Sequence, residues 1–211
     1  SVGDYHYQEM SIEVEKFLEK IEGFIGAVPK KPIEVDFEIA DFHIRGRISE
    51  VSEAGRVQLR YARLRAKDLL TSWIYHLICC HAGPADYQGT GFLICKDAAV
   101  QFDRVTDCGP ILQDLLELFH QGLVLPIRFF PNSSYEYAEH LLNKAASELA
   151  ALNKAKRKWL GSQFSDYATG ESNDPYYDLC FRQSEPLDEV FEDIAVRVFS
   201  PLLAYSREIV L

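Results

Sequence analysis

Residues 44–77 read IRGRISEVSEAGRVQLRYARLRAKDLLTSWIYHL, and their pattern decides how the rest of the 211-residue chain is read. Ile44, Ile48 and Val51, then Val57, Leu59 and Tyr61, mark strands on either side of a turn at Glu53-Ala54-Gly55, where glycine makes positive φ cheap. Ala66, Leu69, Leu70, Trp73, Ile74, Leu77 and Ile78 then recur at helical spacing, which predicts a helix ending near Gly83-Pro84. The charges are lopsided. Residues 54–67 contain no carboxylate, yet Arg56, Arg60, Arg63, Arg65 and Lys67 place five cations in a chain of net charge −10.

Toward the N-terminus, Ser11 is expected to cap a helix with Glu13 and Glu15 at the positive end of its dipole. Val14, Phe17, Leu18, Ile21, Ile25 and Val28 form its apolar stripe, and Pro29 and Pro32 end it. Ile33, Val35, Phe37 and Ile39 alternate with Glu34, Asp36 and Glu38, the pattern of a half-buried strand with an acidic outer face. Ala40-Asp41 turns the chain into the next strand.

Toward the C-terminus, residues 89–105 predict two short strands around Lys96-Asp97. Asp107 and Pro110 open a helix through Ile111, Leu112, Leu115, Leu118 and Phe119, closed by Gly122. The segment LVLPIRFFPNSS is extended. Ser133 or Ser134 then caps one long helix through Ala138, Leu141, Leu142, Ala145, Leu149 and Leu152, ending in Lys154, Lys156, Arg157 and Lys158. Polar residues 161–174 read as a loop. A last helix follows Pro186 with Leu187, Val190, Phe191, Ile194, Ala195 and Val198 as its stripe, and Pro201 is expected to kink or end it.

With 47% hydrophobic residues the chain is long enough for one substantial core, and a single domain over residues 1–211 is expected. No apolar run approaches the roughly 20 residues of a membrane span, and SVGDYHYQEM lacks the regions of a signal peptide, so a cytoplasmic protein without membrane contact is expected. The start without Met suggests a piece of a larger polypeptide. Five cysteines form no paired framework and fit a reducing compartment. The excess of acids, 32 against 22 Lys and Arg, repels a polyanion, so nucleic-acid contact must be local or assembled with partners.

The order helix, antiparallel strands, helix, strand matches the core of the restriction-endonuclease-like nucleases. In those, Gly-x-x-Asp on one strand and Asp-x-Lys on the next hold Mg²⁺, because a hard divalent ion needs oxygen ligands. Here Gly46 is followed three residues on by Ser49, and residues 57–64 carry no acid. Glu50, one residue beyond, would point to the opposite strand face. Cleavage through Asp36, Glu38 or Glu50 is the alternative reading. The five cations of residues 54–67 are read as phosphate contacts or a docking surface, or else as partners of Glu34, Asp36 and Glu38. Lys154, Lys156, Arg157 and Lys158 are candidates of the same kind, though a helix C-terminus gathers cations on its own account. His76, Cys79, Cys80 and His81 match no standard zinc spacing, and the cysteines read as buried or half-buried thiols. Phe129, Phe130, Tyr176 and Tyr177 could stack on unpaired bases, but packing onto the core is the commoner use. No Gly-x-x-x-x-Gly-Lys-Ser/Thr phosphate loop is present.

The run GRVQLRYARLRAKDLLTSWIYHLICCHAG, residues 55–83, resembles the C-terminal part of RecC, the gamma subunit of exodeoxyribonuclease V. PIRFFPNSSYEYA at 126–138 and GESNDPYYDLCFRQSEPLDEVFEDIAVRVFSPLL at 170–203 agree in the same order. The resemblance implies a subunit of the RecBCD helicase-nuclease, which processes double-strand breaks for homologous recombination. It implies RecB-like and RecD-like partners, DNA met within the complex, and Mg²⁺ and ATP used by those partners. No catalytic, cofactor or metal residue is expected in this domain, which would split or guide DNA and hold subunits. The expected fold is α+β, a restriction-endonuclease-like core with a mixed, mostly antiparallel sheet flanked by helices and the metal site lost. An active Mg²⁺-dependent nuclease and a pure docking module are the alternatives.

Overall fold

A computed structural model describes residues 2–21, 32–52, 55–85, 87–161 and 169–210. Two compact units emerge, residues 1–64, 71–112 and 205–211 in one and residues 65–70 and 113–204 in the other.

The first unit carries all the strands found among the described residues. Helix α1, Val2–Ile21, starts earlier than Ser11, which lies in its middle, so Ser11 is not a cap. Phe17 and Ile21 are buried but Leu18 is not, and Ile25 and Val28 lie outside the described residues. Strands β1, Ile33–Ile39, and β2, Phe42–Ile48, pair antiparallel from Ile33↔Ile48 to Ile39↔Phe42 across the two residues Ala40 and Asp41. Ala40 adopts φ of 48° there. The pairing buries Ile33, Val35, Ile39 and Ile48 and turns the acids outward, as the alternation predicts.

The predicted hairpin across Glu53-Ala54-Gly55 is mostly replaced. Only β3, Val51–Ser52, pairs antiparallel with β4, Gly55–Arg60, while β2 belongs to the separate β1–β2 sheet. Glu50 takes φ of 64°, which ends the β2 conformation before β3 begins. The physical reason is competition for β2. β1 offers seven residue pairs across a two-residue turn with acids facing bases, more than the short β3–β4 pairing can match. Glu53 and Ala54 lie outside the described residues. Gly55 has φ of 121°, and a Cβ on it would lie 2.1 Å from the Thr90 carbonyl oxygen, so only glycine fits.

The five-stranded sheet runs β3-β4-β5-β6-β7, with β5 at Gly91–Cys95, β6 at Ala99–Phe102 and β7 at Ser206–Ile209. It is mixed: β4 and β5 are parallel, and the remaining neighbours are antiparallel. Parallel pairing needs a crossover, and α2, Ala66–Ala82, supplies it. The α2 stripe behaves as its spacing predicts, with Leu69, Trp73 and Leu77 buried. Trp73 stacks near His76 and Phe102, with ring centroids 5.6 and 5.8 Å away. β7 is a strand that the sequence pattern does not predict; its four residues pair with the edge of β6.

The second unit is helical. It contains most of α3, Gly109–Val124, together with α4, Pro131–Leu142, α5, Glu148–Leu160, α6, Pro175–Phe181, and α7, Glu189–Ala204. The single long helix expected after Ser133 is two helices, broken where Ala145 takes φ of 47° and Ser147 caps α5 through the Ala150 amide at 3.3 Å. The break lets α5 pack back on α4, burying Ala151 and Ala155 with Tyr137 and Phe130. Neither Ser133 nor Ser134 is the N-cap of α4. Pro131 occupies its first turn, and the amide and hydroxyl of Ser133 donate to Glu171 instead. α6 lies beyond the predicted loop and starts where Asp174 accepts the Tyr176 and Tyr177 amides. α7 continues through Pro201 to Ala204.

Candidate functional site

Two acids of β1 are engaged by cations of β2. Asp36 accepts from His43 at 2.6 Å and lies 3.4 Å from Arg45, and Glu34 pairs with Arg47 at 3.3 Å. These contacts follow from the β1–β2 register, which sets Asp36 opposite Arg45 and Glu34 opposite Arg47. The sequence reading that paired these acids with the arginines of residues 54–67 is therefore corrected, because β4 lies in the other sheet. Bonding to Asp36 raises the His43 pKa.

Gly46 lies on β2 opposite Val35, with open space where a Cβ would be, and Ser49 is exposed after the strand ends. Glu50 turns toward β4. Its Oε2 sits 3.2 Å from Nη2 of Arg56, whose side chain is only 7% exposed. Arg56 Nη1 donates to Gln58 at 3.1 Å, and the guanidinium lies 4.7 Å from the centre of the Tyr75 ring. Arg56 Nε has no hydrogen-bond partner among the described residues. Of the five cations in residues 54–67, then, Arg56 is buried, Arg60 is half-buried and Arg63, Arg65 and Lys67 are exposed. Leu64, between them, is tied down by its backbone N–H, which donates to Asp97 Oδ1 at 2.8 Å.

A second polar junction joins α1 to the β5–β6 turn. Glu13 accepts from both Lys96 and Tyr61 at 2.7 Å, and Lys96 lies over the Tyr61 ring. The two donors hold the Glu13 carboxyl below its usual range, with Lys96 the larger influence.

In the helical unit, Lys154, Arg157 and Lys158 are exposed and Lys156 is half-buried. Lys158 pairs with Glu136 at 3.0 Å, so part of the cluster is spent on α4. Glu136, Glu139 and His140 bring three ligand atoms within 4.8 Å of one another, a group that the sequence signals only by its i, i+3, i+4 spacing. Lys158 and Lys144 neutralise its two carboxylates. Phe130 is fully buried, with Trp159, Tyr177 and Phe181 around it at 4.4 to 5.3 Å, and Phe129 packs on Phe199. The packing use holds for Phe129, Phe130 and Tyr177, whereas Tyr176 is 78% exposed.

His76, Cys79, Cys80 and His81 do not converge as a set. Cys79 and Tyr87 lie in the core beneath β1 and β2, and burial pushes the Cys79 thiol up to about 11. His81 packs against Phe37, with ring centroids 4.5 Å apart. Cys80 instead faces His76, its Sγ 3.6 Å from Nε2, and donates to the Gly89 carbonyl oxygen at 3.8 Å.

The architecture is mixed α/β, with helices and a mixed sheet around a β4–α2–β5 crossover, and Glu50, between β2 and β3, is paired with Arg56 of β4. The chain belongs to the RecC C-terminal domain family, whose model matches residues 1–142. That membership associates it by family with the RecBCD complex, exodeoxyribonuclease V, and DNA repair. None of the curated proteins compared matches the chain. Among the described residues no helix is long and apolar enough to cross a membrane.

Proposed function

We propose that this chain is the non-catalytic C-terminal domain of a RecC-like subunit, built on a restriction-endonuclease-like core whose metal ligands are lost. It helps split or guide DNA and holds RecB-like and RecD-like partners during double-strand break repair in the cytoplasm. Mg²⁺ and ATP serve those partners. The observation that carries this reading is the Glu50–Arg56 pair. Glu50, the acid nearest the expected Gly-x-x-Asp position, is bonded to a buried cation that already supplies the positive charge a metal would bring. The order α1, β1 to β4, α2, β5 supports the core assignment. Gln58 and Arg60 stand two apart on β4, in the spacing of an Asp-x-Lys pair, with an amide and a guanidinium where the chemistry needs a carboxylate and an amine.

The test is incubation of the purified chain with labelled single- and double-stranded DNA in Mg²⁺ or Mn²⁺. No cleavage above background is expected, and metal-dependent cleavage abolished by Glu50→Ala would overturn the reading. A docking module without DNA contact is favoured by the burial of Arg56 and by the exposed apolar residues of the helical unit. There Leu123, Val124, Leu125, Tyr176 and Leu179 are each 66–78% exposed. Reversing Arg60 and Arg63 to Glu within the assembled complex separates the two. Guiding predicts weakened DNA handling, and docking alone predicts none.

A further inference from the structure

Strand β2 has one edge paired and one open. β1 occupies the first, and among the described residues no strand pairs with the second. The hairpin turn fixes which backbone groups lie there. Only Ala40 and Asp41 separate Ile39 from Phe42, so that pair exchanges both of its backbone hydrogen bonds. The alternation of an antiparallel ladder then turns the N–H and C=O groups of Ile44, Gly46 and Ile48 toward β1 as well. Those of His43, Arg45 and Arg47 point the other way, along the open edge.

The two faces of this edge differ in chemistry. On the outer face, the Arg45 and Arg47 side chains are 78% and 65% exposed, and each meets its β1 acid through Nε at 3.4 and 3.3 Å. On the inner face, apolar packing thins toward the edge. Ile33, Val35 and Ile39 of β1 are buried, whereas Ile44 is half-buried, Gly46 is exposed, and a Cβ on Gly46 would meet nothing within 4 Å.

We propose that the open edge of β2 docks an extended segment of a partner protein, added as a third strand to the β1–β2 sheet, in which apolar residues alternate with Asp or Glu. Residues opposite one another on neighbouring strands share a face, so the partner's acids stand over Arg45 and Arg47. Its apolar residues fall on the inner face, beside Ile44 and in the open space at Gly46. β1 has this very pattern on the paired edge, where Asp36 stands opposite Arg45 and Glu34 opposite Arg47. A second copy of the chain fits less well. Its β2 sets arginine against arginine, and although its β1 carries acids, a net charge of −10 on each copy opposes the approach.

The probe is PIEVDFEIA, the sequence of residues 32–40, labelled with fluorescein and titrated with the intact chain by anisotropy. Saturable binding is expected, with new amide-exchange protection at His43, Arg45 and Arg47. PIKVKFKIA should bind about tenfold more weakly, because like charges then stand opposite one another. Arg45→Glu combined with Arg47→Glu should invert that preference, with circular dichroism checking that the variant folds. Two further peptides act on the wild-type chain alone. N-methylation at the amide corresponding to Asp36, which faces β2 in the added strand, should abolish binding, and N-methylation at that of Phe37 should be tolerated. The opposite order means that the peptide displaces β1, and it overturns the proposal. So do absence of saturable binding, equal binding of the lysine peptide, or sedimentation showing that the chain associates with itself and protects the same amides. None of these readouts involves DNA, so the proposal and the DNA-related role can fail separately.

Discussion

Glu50→Ala removes the carboxylate from a guanidinium that is 7% exposed, leaving Arg56 with Gln58 and the Tyr75 ring. A hydrogen bond to a charged group contributes about 1.5–3 kcal/mol net. Glu50 is 54% exposed, so water and salt screen the pair and the lower part of that range, about 1.5–2 kcal/mol, is expected. For a chain of this length that lowers Tm by about 3–8 °C. The asymmetry of the pair is the sharper test. Arg56→Met removes the buried charge and its unpartnered Nε and leaves behind only a carboxylate already facing water, so it should cost less than Glu50→Ala, about 1 kcal/mol. In the double variant the stranded cation no longer exists, and a coupling energy of about 1 kcal/mol should appear in the cycle. Glu50→Gln, which keeps an acceptor and the backbone requirement at φ of 64°, should fall between wild type and Glu50→Ala. Urea unfolding at fixed ionic strength measures all four. If Glu50→Ala lies within about 0.3 kcal/mol of wild type, or the two single losses simply add, Arg56 is not held by Glu50 and the argument for a filled site fails.

Glu171 accepts from the amide and side-chain nitrogens of Asn132 and from the amide and hydroxyl of Ser133 at 2.7 to 3.3 Å, and so caps α4 from 38 residues away. Glu171→Ala is expected to destabilise the helical unit by about 2 kcal/mol and to raise amide exchange at 132 and 133, with Glu171→Gln losing about half as much. His43 should titrate above the ordinary histidine value of about 6.5 when followed by NMR, and Asp36→Asn should bring it back down. Because its folded pKa is the raised one, whatever stability the His43–Asp36 contact contributes is complete below the unfolded value and is lost as pH rises through the folded value.

Local pattern was enough for the elements whose own residues supply their packing. The α2 stripe from Ala66 to Ile78, the alternation of β1 and the two strands around Lys96-Asp97 stand where their spacing puts them. What failed was the choice of partner. β2 carries as good a pattern for pairing with β4 as with β1, and only the seven-pair β1–β2 register, closed by a two-residue turn, separates the two. The break between α4 and α5 has the same origin. Residues 143–147 contain no proline or glycine to announce it, and burial of Ala151 and Ala155 against Phe130 and Tyr137 favours the fold-back. For the candidate site, the cations and the missing acids were legible, but their exposure was not, since Arg56 and Arg63 look alike in sequence and differ in burial.

Sequence by itself determined the RecC family resemblance, the absence of a carboxylate in residues 54–67 and the helical face that carries Trp73 and His76, because each depends on residue identity and short-range spacing. Tertiary structure alone decided that Glu50 pairs with Arg56 and that Glu171 caps a helix far from it in the chain. Such contacts form when distant segments are brought together by burial of apolar surface, a force with no direction along the chain, so nothing in the local pattern specifies which polar groups will face one another when the core closes.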